Sequence, residues 1–175
     1  MANNILLVGF MGTGKSTIGR KLSKCLNYQH VDTDQMIVEL AGKPIPKIFE
    51  DEGEEAFRKI ETQVLEDLQK YQGHIISTGG GIIGSEKNRE LLQKLGYVIW
   101  LCASPEEILD RTSRNTNRPL LNNEDPEGTV RCLLAERSPH YEEVSHLKIS
   151  TDQLCFDEIC MGITESASYH FSKQD

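Results

Sequence analysis

One short motif limits strongly how this chain can fold: Gly9-Phe10-Met11-Gly12-Thr13-Gly14-Lys15-Ser16. It fits the pattern G-x-x-x-x-G-K-[ST] and lies between an apolar run, Asn4–Val8, and a segment of helical periodicity. Glycines let the backbone N–H groups of such a loop turn inward, and the helix that follows adds the positive end of its dipole. The motif therefore predicts a nucleoside-triphosphate site at the end of the first strand.

This stretch also supplies most of the predicted nucleotide contacts. We expect Lys15 to reach the outer phosphates and the Ser16 hydroxyl to ligate the Mg²⁺ that bridges them. The other contacts predicted from this stretch are Gly12, Thr13, Gly14 and Thr17. An ordinary glycine-rich turn before a helix is disfavoured, because every fixed position of the pattern is present.

Apolar runs alternate with amphipathic segments along the rest of the chain. The predicted strands are Asn4–Val8, about Tyr28–Val31, His74–Ser77, Tyr97–Leu101 and His146–Ser150. Helices are predicted at about Lys15–Leu26, after Asp34, at Glu54–Tyr71, at about Ser85–Leu95, from Pro105, from Pro126, and around Phe156–Ile163. Strands that alternate with helices predict an α/β fold, with a parallel sheet covered by helices on both faces.

Length and composition narrow the functional classes. The 175 residues, 38% of them hydrophobic, predict one domain over 1–175. The net charge of −8 argues against a general nucleic-acid binder, and the apolar runs are too short to span a membrane. Five scattered cysteines favour incidental thiols in a reducing cytosol over a disulfide framework or a zinc site.

One polar segment, Thr112–Asp125, has no period of either kind. It contains Arg118 and is bounded by the helix start Asp125-Pro126. Long loops inside compact domains are usually functional or disordered. We expect a lid at about 112–125 that brings Arg118 to the phosphates.

Two acidic residues follow the second predicted strand, as Asp32-Thr33-Asp34. The carboxyl ends of neighbouring parallel strands meet at one edge of the sheet, so these residues fall near the phosphate loop. Asp32 would support the Mg²⁺ shell and Asp34 would accept a proton from an acceptor hydroxyl. A helix cap at Thr33 or Asp34 is the alternative.

A GTP-hydrolysing switch is the rival class, and it requires an Asn/Thr-Lys-x-Asp motif that is absent from this chain. A small-molecule kinase instead needs an acceptor pocket. Its candidate residues are Arg58, the triplet Gly79-Gly80-Gly81, and Arg137, which we place at the end of a helix. The plainer alternatives are a surface pair of Arg58 with Glu61, a tight turn, and a favourable position of Arg137 in a helix dipole.

Taken together, these residues resemble the shikimate kinase family over about 9–151. The resemblance rests on the phosphate loop, Asp32-Thr33-Asp34, Phe57-Arg58-x-x-Glu61, Gly79-Gly80-Gly81, Arg118-Pro119-Leu120-Leu121 and Glu136-Arg137-x-Pro139-x-Tyr141. It implies a P-loop kinase fold like that of nucleoside monophosphate kinases, with a five-stranded parallel sheet, an acceptor-binding region at about 33–61 and a lid. It also implies transfer of the γ-phosphate of ATP to the 3-hydroxyl of shikimate, a step towards the aromatic amino acids.

The same resemblance implies roles for individual residues. Lys15, Asp34 and Arg118 would be catalytic, and shikimate would be held by Asp34, Arg58, Gly80 and Arg137. The apolar part of the pocket would consist of Ile45, Phe49, Phe57, Pro119 and Leu120. Arg111 and a loop after the last strand, with Gln153 as its candidate, would hold the adenine. A monomer is implied as well. Gluconate-type and nucleoside monophosphate kinases, or a noncatalytic ATP-binding module, remain the alternatives.

Overall fold

A computed structural model of the chain describes residues 3–113 and 125–173. Its described part contains a five-stranded parallel sheet in the order β2-β3-β1-β4-β5. The strands are β1 Asn4–Val8, β2 Gln29–Asp32, β3 His74–Ser77, β4 Gly96–Cys102 and β5 Leu147–Ser150. The predicted parallel sheet is confirmed, and each predicted strand lies within one residue of the observed one at either end.

Seven α-helices surround the sheet in the described residues. They are α1 Lys15–Leu26, α2 Thr33–Ala41, α3 Ile45–Asp67, α4 Glu86–Leu95, α5 Pro105–Ser113, α6 Pro126–Val144 and α7 Phe156–Ser172. None of the described helices is both long and apolar enough to cross a membrane.

The central strand β1 shows how the sequence builds two layers. All five of its residues are buried, and successive side chains point to opposite faces of the sheet. Leu6 and Val8 pack into a core with α2, α3, α4 and α6, whereas Ile5 and Leu7 pack into a second core with α1 and α7. Because both faces are covered, ligands have access mainly at the carboxyl ends of the strands, where the loops lie.

Two helices differ from the sequence prediction. The segment before Glu54 was not predicted as a helix, yet α3 begins at Ile45 and breaks only at Gly53, whose φ of 80° suits glycine. Arg137 does not end its helix: α6 continues through Pro139 to Val144. Burial of Tyr141 and Val144 in the core stabilises this last part. The dipole interpretation of Arg137 is therefore wrong, because the residue lies in the helix interior.

Candidate active site

The phosphate loop has the backbone that its glycines predict. Gly9, Gly12 and Gly14 have positive φ angles of 144°, 81° and 88°. At Gly9 a Cβ atom would lie 2.1 Å from the carbonyl oxygen of Leu101, so only glycine fits there. The Lys15 ammonium is nearly buried and donates to the carbonyl oxygens of Gly9, at 2.9 Å, and Phe10, at 2.8 Å. The loop thus encloses a concave surface with a cation at its centre.

The acidic residues after β2 meet this loop. The Ser16 hydroxyl donates to Oδ2 of Asp32 at 2.8 Å, and Oδ1 of Asp32 accepts the backbone N–H of Asp34 at 3.1 Å. Asp32 is therefore the N-cap of α2. Its Oδ1 atom caps the helix, and its Oδ2 atom binds Ser16 of the phosphate loop. The Asp34 carboxylate lies so close to Gly79 that a Cβ there would approach Oδ1 to 2.7 Å.

A cavity of about 640 Å³ joins these groups. Of the predicted site residues it is lined by Gly12, Thr13, Gly14, Lys15, Ser16, Thr17, Asp32, Asp34, Gly80 and Arg111. Gly79 and Gly81 flank Gly80 at its edge, and Arg58 and Arg137 approach the same triplet. Gln153 is exposed and is not among the residues lining the cavity, so the structure does not support a nucleotide contact there. Arg118, Pro119 and Leu120 lie outside the described residues.

Arg58 is not the weak surface pair of the alternative interpretation. Its guanidinium donates to Glu61 at 2.9 Å and to Glu54 at 3.0 Å, and Glu61 is only 1% exposed. Burial raises the pKa of Glu61 above its ordinary value, although the charge of Arg58 acts in the opposite direction. Burial tends to lower the pKa of Arg58, but Glu61 and Glu54 outweigh it and the net change is upward. The pair fixes a cation beside Gly81.

A second cation reaches the triplet from α6. Arg137 donates to the carbonyl oxygen of Gly80 at 3.4 Å, and its guanidinium lies 5.6 Å from the ring centre of Phe10. The hydroxyl of Tyr141, one turn later on the same helix, donates to the same oxygen. The sequence analysis includes Tyr141 in a motif of the resemblance but assigns it no role, although its spacing of four residues from Arg137 places both on one helix face.

The opposite end of the cavity is more apolar. Arg111 donates to the hydroxyl and the carbonyl oxygen of Thr151, at 2.9 and 2.8 Å, and thereby fixes the loop after β5. Leu154 and Phe156 line the cavity beside it and are both about half exposed. Sequence reasoning assigned Phe156 only to the core stripe of α7 and missed this surface. The end is suited to a flat apolar group attached to the phosphates.

Comparisons with known proteins agree with this arrangement. The family model described as "Shikimate kinase" matches residues 11–168. The chain belongs to the shikimate kinase family. A shikimate kinase from Prochlorococcus marinus (strain MIT 9313) is 46% identical over 164 residues, which cover 93% of this chain and 84% of that protein.

Solved shikimate kinases share the fold. The shikimate kinase from Acinetobacter baumannii in complex with shikimate has a TM-score of 0.91 and 42% identity, covering 97% of this chain and 95% of that one. The shikimate kinase from Aquifex aeolicus has a TM-score of 0.81 and 34% identity, with coverages of 94% and 96%. The family, and with it the P-loop kinase fold, is confirmed on sequence and structure alike.

Proposed function

We propose that this member of the shikimate kinase family transfers the γ-phosphate of ATP to the 3-hydroxyl of shikimate, giving shikimate 3-phosphate and ADP. The observation that supports it best is that one cavity is lined by Lys15, Asp34 and Gly80, with Arg137 bonded to the Gly80 carbonyl and Arg58 beside Gly81. The phosphate site, the base and two cations that could bind a carboxylate thus lie next to one another. The whole chain, 1–175, would act as one kinase unit with its acceptor-binding region at about 33–61.

The acceptor's chemistry agrees with these charges. Arginine forks bind carboxylates by charge-assisted, often paired, hydrogen bonds, so Arg58 and Arg137 are suited to the carboxylate of shikimate. Asp34 would orient the hydroxyl and take its proton, while the glycine triplet lets the ring approach the backbone. Phe49 and Phe57, with ring centres 4.6 Å apart, would form the apolar wall together with Ile45.

Two oxygens suit the Mg²⁺ that we propose as cofactor. The Ser16 hydroxyl and the Asp32 carboxylate are 2.8 Å apart on the cavity wall, and hard oxygen ligands of this kind fit Mg²⁺. In the described ranges no group of three or more His, Cys, Asp or Glu side chains gathers as a metal site. This agrees with an ion that takes its other ligands from phosphates and water. When bound, Mg²⁺ would neutralise charge on the phosphates.

Arg111, Leu154 and Phe156 would hold the nucleoside end of ATP, as the apolar end of the cavity suggests. A monomer would suffice, since one chain supplies every group named above. The cytosol is proposed as its compartment because all five cysteines are free thiols.

The lid proposal can be tested without a variant. Arg118 would reach the phosphates only on closure, while Pro119 and Leu120 touch shikimate, so both ligands would favour the closed state. Amides of 112–125 should therefore exchange with solvent quickly in the free protein and much more slowly with ADP plus shikimate. Arg118→Lys, which keeps the charge but loses the fork, should remain impaired in kcat. Equal exchange in both states would contradict a lid.

Gly81→Ala tests the place of Arg58. A Cβ at Gly81 would lie 2.8 Å from both terminal nitrogens of Arg58. The φ of −96° at Gly81 is one that alanine adopts without strain, so the substitution affects the contact and not the backbone. The guanidinium must therefore move, and we expect KM for shikimate to rise about tenfold through a weakened charged hydrogen bond. Gly84→Ala is the control, since nothing lies within 4 Å of its added Cβ. If the two variants have equal kinetics, Arg58 does not take part in binding the acceptor.

The proposed activity itself is tested by ADP release. Mg-ATP is supplied with shikimate, gluconate, AMP, CMP or no acceptor, and we expect rapid release with shikimate alone. Activity with a nucleoside monophosphate and none with shikimate would favour the nucleotide-kinase alternative. No stimulation by any acceptor would favour a noncatalytic ATP-binding module.

A further inference from the structure

The carbonyl oxygen of Gly80 accepts hydrogen bonds from two side chains of α6. One is the Tyr141 hydroxyl, and the other is Arg137, whose 3.4 Å contact is long for a hydrogen bond. A cation that turns toward a bound carboxylate gives up such a contact. The oxygen then keeps a partner only if Tyr141 stays in place.

Tyr141 is held more firmly than Arg137. Its side chain is fully buried, and its ring stacks on Trp100 with centres 5.7 Å apart and planes inclined by 24°. Burial raises the pKa of its hydroxyl far above the ordinary value, so the group stays protonated and remains a donor at any assay pH. Arg137 is only partly buried and has a long flexible stem.

The Gly80 backbone also lies between the two substrate regions. A Cβ at Gly80 would lie 3.4 Å from the Gly9 carbonyl oxygen and from the Met11 N–H, so the triplet packs on the phosphate loop. On its other side, the N–H of Gly79 donates to the Thr33 hydroxyl at 3.1 Å, next to Asp34. A donor that fixes Gly80 therefore fixes the distance between the acceptor-binding triplet and the phosphates.

We propose that Tyr141 is a positioning residue for the acceptor: its hydroxyl holds the Gly80 carbonyl and thereby releases Arg137 to bind the carboxylate of shikimate. This inference rests on the proposed function and adds a residue to it. Tyr141 touches neither substrate. It acts through Gly80 and Arg137.

Tyr141→Phe removes the hydroxyl and keeps the stacked ring. Of the two side chains that donate to the Gly80 carbonyl, Arg137 alone then remains. Arg137 can bind the carboxylate of shikimate only by giving up its hydrogen bond to Gly80. We expect KM for shikimate to rise about tenfold, KM for ATP to stay unchanged, and kcat to change less than about threefold. The matched control is Tyr97→Phe, because Tyr97 is also a buried tyrosine whose hydroxyl is hydrogen-bonded, to Ser166 at 2.7 Å on the other face of the sheet.

The outcomes separate the two proposals. Wild-type protein that releases no ADP with shikimate contradicts the proposed function. Active wild-type protein with identical kinetics in the Tyr141→Phe and Tyr97→Phe variants contradicts the positioning role alone. An equal rise of both KM values would indicate a general loss of structure and also contradict it.

A second measurement uses the wild-type protein and does not depend on a folded variant. The Tyr141 hydroxyl proton should be protected from exchange in the free protein and remain so with shikimate bound, while the guanidinium signals of Arg137 shift. Loss of that protection on binding would overturn the proposal.

Discussion

The Lys15→Ala variant should lose about 10²-fold or more of its kcat while it remains folded. Phosphoryl transfer requires little covalent chemistry from the protein, so most of the catalysis is positioning and support of charge. The Lys15 ammonium is already held over the phosphate loop by the carbonyl oxygens of Gly9 and Phe10. Among the described residues that line the cavity, Lys15 is the one lysine, and the substitution removes it.

Steady-state ADP release measures this effect, and a melting curve checks the fold. Lys24→Ala is the control, since Lys24 is an exposed lysine in the last turn of the same helix. We expect it to match the wild type. Turnover close to normal in a folded Lys15→Ala variant would mean that the phosphate loop is not the catalytic site.

The Asp34→Asn variant should retain ATP binding and lose roughly 10²–10⁴ in kcat, the usual range for a general base. Asparagine keeps the size of the side chain and removes its charge and basicity. The Asp34 carboxylate lies beside Gly79. Because asparagine has nearly the same shape, we expect its amide to take the same place. If the transition state is loose, orientation matters more than proton removal and the loss falls at the low end of that range.

Nucleotide titration and single-turnover rates separate binding from chemistry in this variant. Glu39→Gln, an exposed change on the same helix, serves as the control. Should Asp34→Asn raise KM for shikimate and leave kcat unchanged, Asp34 would be a binding residue and not the base.

Sequence alone was sufficient where local pattern and tertiary contact agree. The apolar runs of β1 and β3 match the observed strands residue for residue, because both are buried on two faces and carry no competing turn signal. The phosphate loop was equally predictable, since its pattern demands a strand before it and a helix after it. These elements place Lys15 and Ser16 at the carboxyl edge of the sheet without further information.

Sequence alone was not sufficient where burial decides the outcome. The spacing of Arg58 and Glu61 fits either an acceptor-binding cation or a common surface pair, because nothing local indicates that the Glu61 carboxylate is buried. Pro139 normally signals the end of a helix, yet packing of Tyr141 and Val144 carries α6 past it. In both cases the outcome depends on burial in the folded chain, which no local pattern reports.

The nucleoside end of the cavity was the least predictable part. The resemblance predicts that the loop after β5 contacts the adenine and offers only Gln153 as a candidate within it. The cavity wall instead contains Leu154, from that loop, and Phe156, which the periodic pattern indicates only as part of the closing helix. Whether an apolar residue is exposed beside a binding loop follows from its accessible surface and not from its position in a periodic pattern.

The most direct test of the central claim is the identity of the product. Phosphorus–proton correlation NMR of a reaction with Mg-ATP and shikimate should give one new phosphate monoester, coupled to the proton on carbon 3 of the shikimate ring, in amounts equal to the ADP formed. A monoester coupled to another ring position, or ADP formed with inorganic phosphate alone, would contradict the account.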